Sequence, residues 1–216
     1  MKHSVAALAC VDASASKALT RPGSAFFISN RGRFLTAAHV LLDMRRDEDA
    51  CPVSAVVLPA DDWDPRAREE IQVWFPFRIP DCQIDTDLYV AACSPADDLS
   101  VPKPWFRFRI SPVRLEFGIP ADGTRVAFTA FPLGTRDPMT FMAEVAAYRT
   151  QWQNERSLPE LVLDRGTWPG SSGSPVYLPD GSVVGILIKF GNEDGTGLTY
   201  IRPIASVERI IAEQRE

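Results

Sequence analysis

Apolar residues in this chain come in short runs of strand length, separated by clusters of Gly, Pro, Asp and Ser, the pattern of an all-β protein. Six runs occupy the first half: Val5 to Val11, Ala25 to Ser29, Arg33 to Thr36, Val53 to Leu58, Ile71 to Arg78 and Leu88 to Cys93. Six more follow: Arg125 to Ala130, Met139 to Tyr148, Leu161 to Leu163, Pro175 to Leu178, Val183 to Ile188 and Leu198 to Ile201. Between the two sets, Ser94 to Pro104 has the proline, serine and aspartate content of a connector, with Trp105 to Ile110 in the crossing segment. Asp61 to Glu70 is dense in charge and reads as an exposed loop. Only the tail changes period: Ile204, Val207, Ile210 and Ile211 mark one face of a helix, with Pro203 near its first turn. No internal repeat or low-complexity segment interrupts this order.

With 216 residues, 45% apolar and 24% charged, the chain can bury one extended core or two small ones. The net charge of -5 offers no electrostatic footprint for nucleic acid or an anionic membrane. Trp105-Phe106-Arg107-Phe108-Arg109 interleaves basic and aromatic residues, but the alternation is that of a strand with one wet face. No apolar run approaches the roughly 20 residues of a membrane span. Neither nucleic acid nor a membrane is therefore an expected partner.

Lys2, the run from Val5 to Val11 and Ala13-Ser14-Ala15 together mimic an export signal. The run is short for such a core, and Asp12 interrupts it where the cleavage region begins, so Val5 to Val11 reads as the first strand. Cys10, Cys51, Cys82 and Cys93 show neither metal spacing nor a recognisable disulfide framework, and are expected to be reduced, mostly buried thiols. A cytoplasmic setting is the expectation, with export as the alternative.

Two motifs carry candidate chemistry: Thr36-Ala37-Ala38-His39 and Gly170-Ser171-Ser172-Gly173-Ser174-Pro175. A serine hydroxyl is a poor nucleophile unless an imidazole takes its proton and a carboxylate fixes the tautomer of that imidazole. Of the two histidines, His3 lies in the N-terminal fringe, which leaves His39 as the base. Glycine at 170 lets the backbone approach a substrate carbonyl, and the amides of Gly170 and Ser172 then converge on the developing oxyanion. Such chemistry needs no metal or cofactor. The plainer readings are a helix start with a buried histidine and a Gly/Ser loop.

These residues resemble the trypsin-like, chymotrypsin-fold serine peptidases, in a bacterial-type form. Gly23 to Val40 (GSAFFISNRGRFLTAAHV) resembles the hairpin that delivers the family's histidine, Phe131-Pro132-Leu133-Gly134 its Y-P-x-G element, and Val183-Val184-Gly185-Ile186 the strand after the nucleophile. The family's third member, an aspartate before a short apolar strand, matches Asp87-Leu88-Tyr89-Val90-Ala91, with Asp85 the rival on the same face. The order His39, Asp87, Ser172 is the family's own. An α/β-hydrolase would need a histidine after the serine, and none follows Ser172.

The resemblance implies one domain over 1–216: two six-stranded antiparallel β-barrels (about 1–93 and 113–202), a connector (about 94–112) and a short C-terminal helix (about 203–214) packed on the second barrel. It implies a serine endopeptidase acting on protein or peptide through an acyl-enzyme, or alternatively a catalytically silent binding module on the same fold. The specificity pocket falls at Gly166 on its floor, Thr167, Leu187, Ile188 and Gly197. The missing aspartate at Gly166 and the apolar Leu187 and Ile188 favour a medium or large apolar side chain before the cut, although Glu193 and Asp194 stand nearby in sequence. Val40 after His39 and Trp168 before Ser172 lack the cysteines of secreted animal members. Ser171 replaces the aspartate that pairs with a newly cut N-terminus in the family's zymogens, so its hydroxyl is expected to steady the loop by local hydrogen bonds. A site formed in the intact chain, with control by a regulatory protein partner, a neighbouring domain or substrate access, is the corresponding expectation.

Overall fold

The computed structural model describes residues 4–12, 17–46, 51–58, 74–96, 110–153, 156–190 and 197–212. The charged loop from Asp61 to Glu70, residues 71–73, the crossing segment from Trp105 to Arg109, His3, Glu193 and Asp194 all lie outside the described residues.

Strand β1 (Val5–Asp12) shows how the first unit is built. Side chains alternate across a strand, and here both faces are apolar: Val5, Ala7, Ala9 and Val11 enter one core, whereas Ala6, Leu8 and Cys10 enter another. A strand buried on both faces belongs in mid-sheet, and β1 pairs antiparallel with β2 (Lys17–Phe27) on one side and β4 (Ser54–Val57) on the other. This burial bears out the strand reading of Val5 to Val11. The sheet continues through β3 (Phe34–Ala37), β5 (Trp74–Pro76), β6 (Gln83–Asp85) and β7 (Val90–Cys93), in the order β5-β4-β1-β2-β3-β7-β6. It is thus a seven-stranded sheet whose ends, β5 and β6, do not pair, in place of the expected six-stranded barrel. Strand β6 escapes sequence reading because three residues of mixed polarity carry no period. Helix α1 (Ala38–Arg46) follows β3 directly, the helix start that the plainer reading of Thr36 to His39 offers; its buried Ala38, Val40, Leu41 and Met44 form the inward stripe.

The second unit is a closed barrel of six strands, β10-β13-β12-β11-β8-β9. These are β8 (Arg125–Ala130), β9 (Met139–Gln153), β10 (Arg156–Leu163), β11 (Pro175–Tyr177), β12 (Val183–Phe190) and β13 (Thr199–Pro203). Its interior holds Val126, Phe128, Val145, Leu161, Leu163, Val184 and Leu187. A separate cluster joins the two units, with Phe26, Leu35 and Val90 packed with Phe131, Ile186, Ile188 and Tyr200.

The tail begins as a 3₁₀ turn (Ile204–Val207) and ends as α2 (Glu208–Ala212). Its apolar stripe faces the shared cluster, so it does not rest on the second barrel alone. Buried Arg33 of the first unit donates to the carbonyls of Ile210 (2.6 Å) and Ile211 (2.8 Å), placing a cation where the helix dipole is negative.

The cysteines correct the sequence reading. Cys10 bonds to Cys51 and Cys82 to Cys93, leaving no free cysteine among the described residues. Register explains one pair: with Gln83 opposite Ala92, Cys82 and Cys93 come next across the β6–β7 ladder. The other forms because β1–β4 pairing sets Cys10 opposite Ser54, three residues from Cys51. Closing a span of 41 residues restricts the unfolded chain enough that replacing Cys10 and Cys51 with serine should lower the unfolding free energy by about 4 kcal/mol. Urea denaturation of the double variant reads this directly, and thiol titration of the unfolded native chain should find no free thiol.

Candidate active site

The Ser172 loop is held at both ends by glycines with positive φ, Gly170 (88°) and Gly173 (87°). A side chain at Gly173 would overlap the carbonyl of Ser24 and the hydroxyl of Thr36, and would lie 3.1 Å from the amide of Ala37. The loop therefore packs directly on the strand that runs into His39. One at Gly170 would strike the carbonyl of Phe131. Glycine is required at both positions for conformation and for space.

Ser24 fastens this packing. Its hydroxyl donates to the carbonyl of Gly170 (2.8 Å) and accepts from the amide of Phe131 (3.1 Å). Its amide donates to the carbonyl of Ser172 (2.8 Å), and its own carbonyl accepts from the hydroxyl of Thr36 (2.8 Å). From the second barrel, the amide of Gly173 donates to Leu187 (2.7 Å) and the amide of Leu187 to Ser174 (2.9 Å). The Pro132–Gly134 turn completes the frame, with the amide of Leu133 donating to Pro169 (2.6 Å). Ser24 lies within the Gly23 to Val40 segment, and nothing in its sequence context marks the role.

The amides of Gly170 and Ser172 donate to no backbone carbonyl among the described residues. The Ser171 hydroxyl does not steady the loop as expected. It is buried without a partner among the described residues, and the loop is closed by backbone instead: Ser171 donates to Trp168 (3.0 Å) and Ser174 to Ser171 (3.1 Å).

His39 sits half-buried in the first turn of α1, which is pinned where the amide of Ala38 donates to the carbonyl of Tyr89 (2.9 Å). Burial holds its pKa below the ordinary 6.5, opposed by the carboxylate of Asp43 one turn along the helix. Among the described residues, the structure brings no hydrogen bond between His39 and Ser172. Asp87 lies in the β6–β7 turn, lining a cavity of about 390 Å³ with Asp85, Leu88, Leu158, Arg209 and Ile210; His39 is not among the described lining. The turn is fixed in that position by Asp85, which accepts from the amide of Leu88 (2.8 Å), and by Tyr89 at φ 58°. Arg202, wholly buried, reaches from β13 to the carbonyls of Leu88 (3.0 Å) and Pro159. Asp85 thus has a local structural task.

A model of the trypsin-like peptidase domain matches residues 23–186, three quarters of the chain. The chain belongs to this family. Solved structures agree in fold: the Rv3671c protease of M. tuberculosis in its active form (16% identity, TM-score 0.67, covering 98% of this chain and 80% of that one) and the MamO protease domain of Magnetospirillum magneticum (14%, 0.68, 100% and 97%). The serine endoprotease of Yersinia pestis is similar over 98% of this chain and 62% of its own (16%, 0.64). No curated protein matches.

In this trypsin-like domain the five pocket residues divide into two groups. Gly166 faces Gly197, whose carbonyl lies 3.1 Å from where a Gly166 side chain would begin, and the Thr167 hydroxyl meets Thr199 (3.4 Å). These three lie close together. Leu187 instead points into the second barrel and Ile188 into the shared cluster, both buried, so neither is open to a ligand as expected.

Because Ser24→Ala strips the Gly170 carbonyl of a donor and the Phe131 amide of an acceptor, both buried, it should destabilise the protein by about 1–3 kcal/mol. A lower urea midpoint with an unchanged slope would record it.

Proposed function

We propose that this trypsin-like domain is a serine endopeptidase, cutting peptide bonds through an acyl-enzyme. The observation that carries this reading is the seating of the Ser172 loop on the strand entering His39, through Gly173, Ser24 and Thr36. Ser172 Oγ attacks the scissile carbonyl while neutral His39 takes its proton, then returns it to the leaving amine. Water repeats the sequence on the acyl-enzyme. The free amides of Gly170 and Ser172 stabilise each oxyanion. Asp87, in the β6–β7 turn, orients the imidazole, as the family resemblance implies. The two disulfides favour an oxidising compartment, the alternative to a cytoplasmic setting.

A second reading, a silent peptide-binding module on the same fold, is favoured by the lack of a hydrogen bond between His39 and Ser172 among the described residues. Fluorophosphonate labelling of the intact chain separates the two: a peptidase labels at Ser172, and Ser172→Ala abolishes both label and turnover, a loss of about 10⁴- to 10⁶-fold. Absence of label on the native protein, with or without a peptide substrate, would favour the binding module.

Asp87→Asn should cost about 10⁴ in kcat near neutral pH, and Asp85→Asn far less. The opposite ranking in steady-state assays would transfer the orienting role to Asp85.

Burial favours the neutral imidazole, so the acid limb of the kcat/KM profile should fall with a midpoint below 6.5. The unfolded chain takes up this proton first as pH drops below 6.5, so the contribution of His39 to stability declines with falling pH until the folded pKa is reached. Parallel rate and denaturation series from pH 5 to 8, with His39→Gln as control for stability, measure both.

A further inference from the structure

The nucleophile loop is bonded to β12 at Leu187, and β12 continues three residues beyond it. On the side away from β13, strand β11 pairs with β12 only as far as Ile186, so the end of β12 presents an open edge among the described residues. An open edge is where an extended peptide adds as a further strand, most readily antiparallel. A peptide running antiparallel to β12 passes Phe190 and Lys189 before it reaches the nucleophile, so the residues beside Lys189 precede the bond to be cut. Lys189 stands about 7 Å along the strand from Leu187, and β12–β13 pairing sets Phe190 opposite Thr199, the residue that meets Thr167.

The chemistry of this edge is cationic. Lys189 is exposed, with Nζ 4.9 Å from the centre of the Tyr200 ring, and pairs with no carboxylate among the described residues. The Arg149 guanidinium lies 4.8 Å from the same ring centre, its side chain about half exposed. Glu160, wholly buried, bonds Arg149 at 2.9 and 3.0 Å and so balances that cation. The Tyr200 ring is itself buried, so both cations are held against it. Among the described residues Lys189 is left without a carboxylate partner, in a chain whose net charge is -5.

We propose that Lys189, supported by Arg149 across the Tyr200 ring, is a subsite for an acidic side chain of the substrate, about two to four residues before the cut. The inference rests on the peptidase reading only for the word "cut"; the subsite itself needs only a bound peptide.

The test uses two assays on one set of peptides, in which glutamate, alanine or lysine is placed in turn at the second, third and fourth positions before the cleaved bond. Wild-type turnover gives kcat/KM, and fluorescence anisotropy gives Kd for the full chain carrying Ser172→Ala. Glutamate at one of these positions should exceed alanine roughly tenfold in both, and lysine should fall below alanine. Lys189→Met should bring the glutamate-to-alanine ratio near one, Lys189→Glu should invert it in favour of lysine, and Lys189→Arg should keep it. Turnover without any glutamate preference, or a preference that survives Lys189→Glu, overturns the subsite while the peptidase reading stands. Glutamate-selective binding without turnover upholds the subsite and overturns the peptidase reading, and neither binding nor turnover overturns both.

Discussion

The seating of the Ser172 loop depends on one buried serine hydroxyl. Ser24 belongs to the first sheet, yet its polar atoms serve the loop and turn of the second barrel. A hydroxyl can donate once and accept more than once, and here the single donor goes to the carbonyl of Gly170, whose amide must stay free for chemistry. Holding the carbonyl end of that residue fixes where its neighbouring peptide planes point. The backbone amides beside Ser172 are thus aimed by a residue of the other unit.

The same logic recurs in the two buried arginines. Arg33 ties the first sheet to the end of α2, and Arg202 ties the second barrel to the turn that carries Asp87. Both meet backbone carbonyls in these contacts. A buried guanidinium must be hydrogen-bonded to be tolerated, and carbonyls at the ends of other elements meet that need while fixing how those elements dock. Desolvation holds the Arg202 pKa below the ordinary value, against the opposing pull of buried Glu160. The apolar cluster between the units supplies the bulk of the cohesion, and the arginines determine its geometry.

The two motifs and the two halves of the fold were legible in sequence because the Gly-Ser turn and the T-A-A-H segment are dictated by local demands: positive φ, close approach, and a strand running into a helix. What escaped depends on register. Cys82 meets Cys93 only because two three- and four-residue strands pair with one particular offset. Leu187 and Ile188 were expected in the pocket by resemblance, but successive side chains of β12 enter the second barrel and the shared cluster in turn, so both are buried. The position of Asp87 is set by a turn whose strained Tyr89 and bonded Asp85 leave no periodic trace.

Strand β1 has a consequence for what counts as the domain. The recognisable family segment begins at Gly23 and stops at Ile186, and it contains His39, Asp87 and Ser172. Yet β1 is the strand that joins β4 to β2, and β13 is the one that closes the second barrel between β12 and β10. Both lie outside that segment. The stretch of chain that carries the chemistry is therefore shorter than the stretch that can fold, and a boundary drawn around the motifs would cut one sheet in two and leave the other barrel with an open seam.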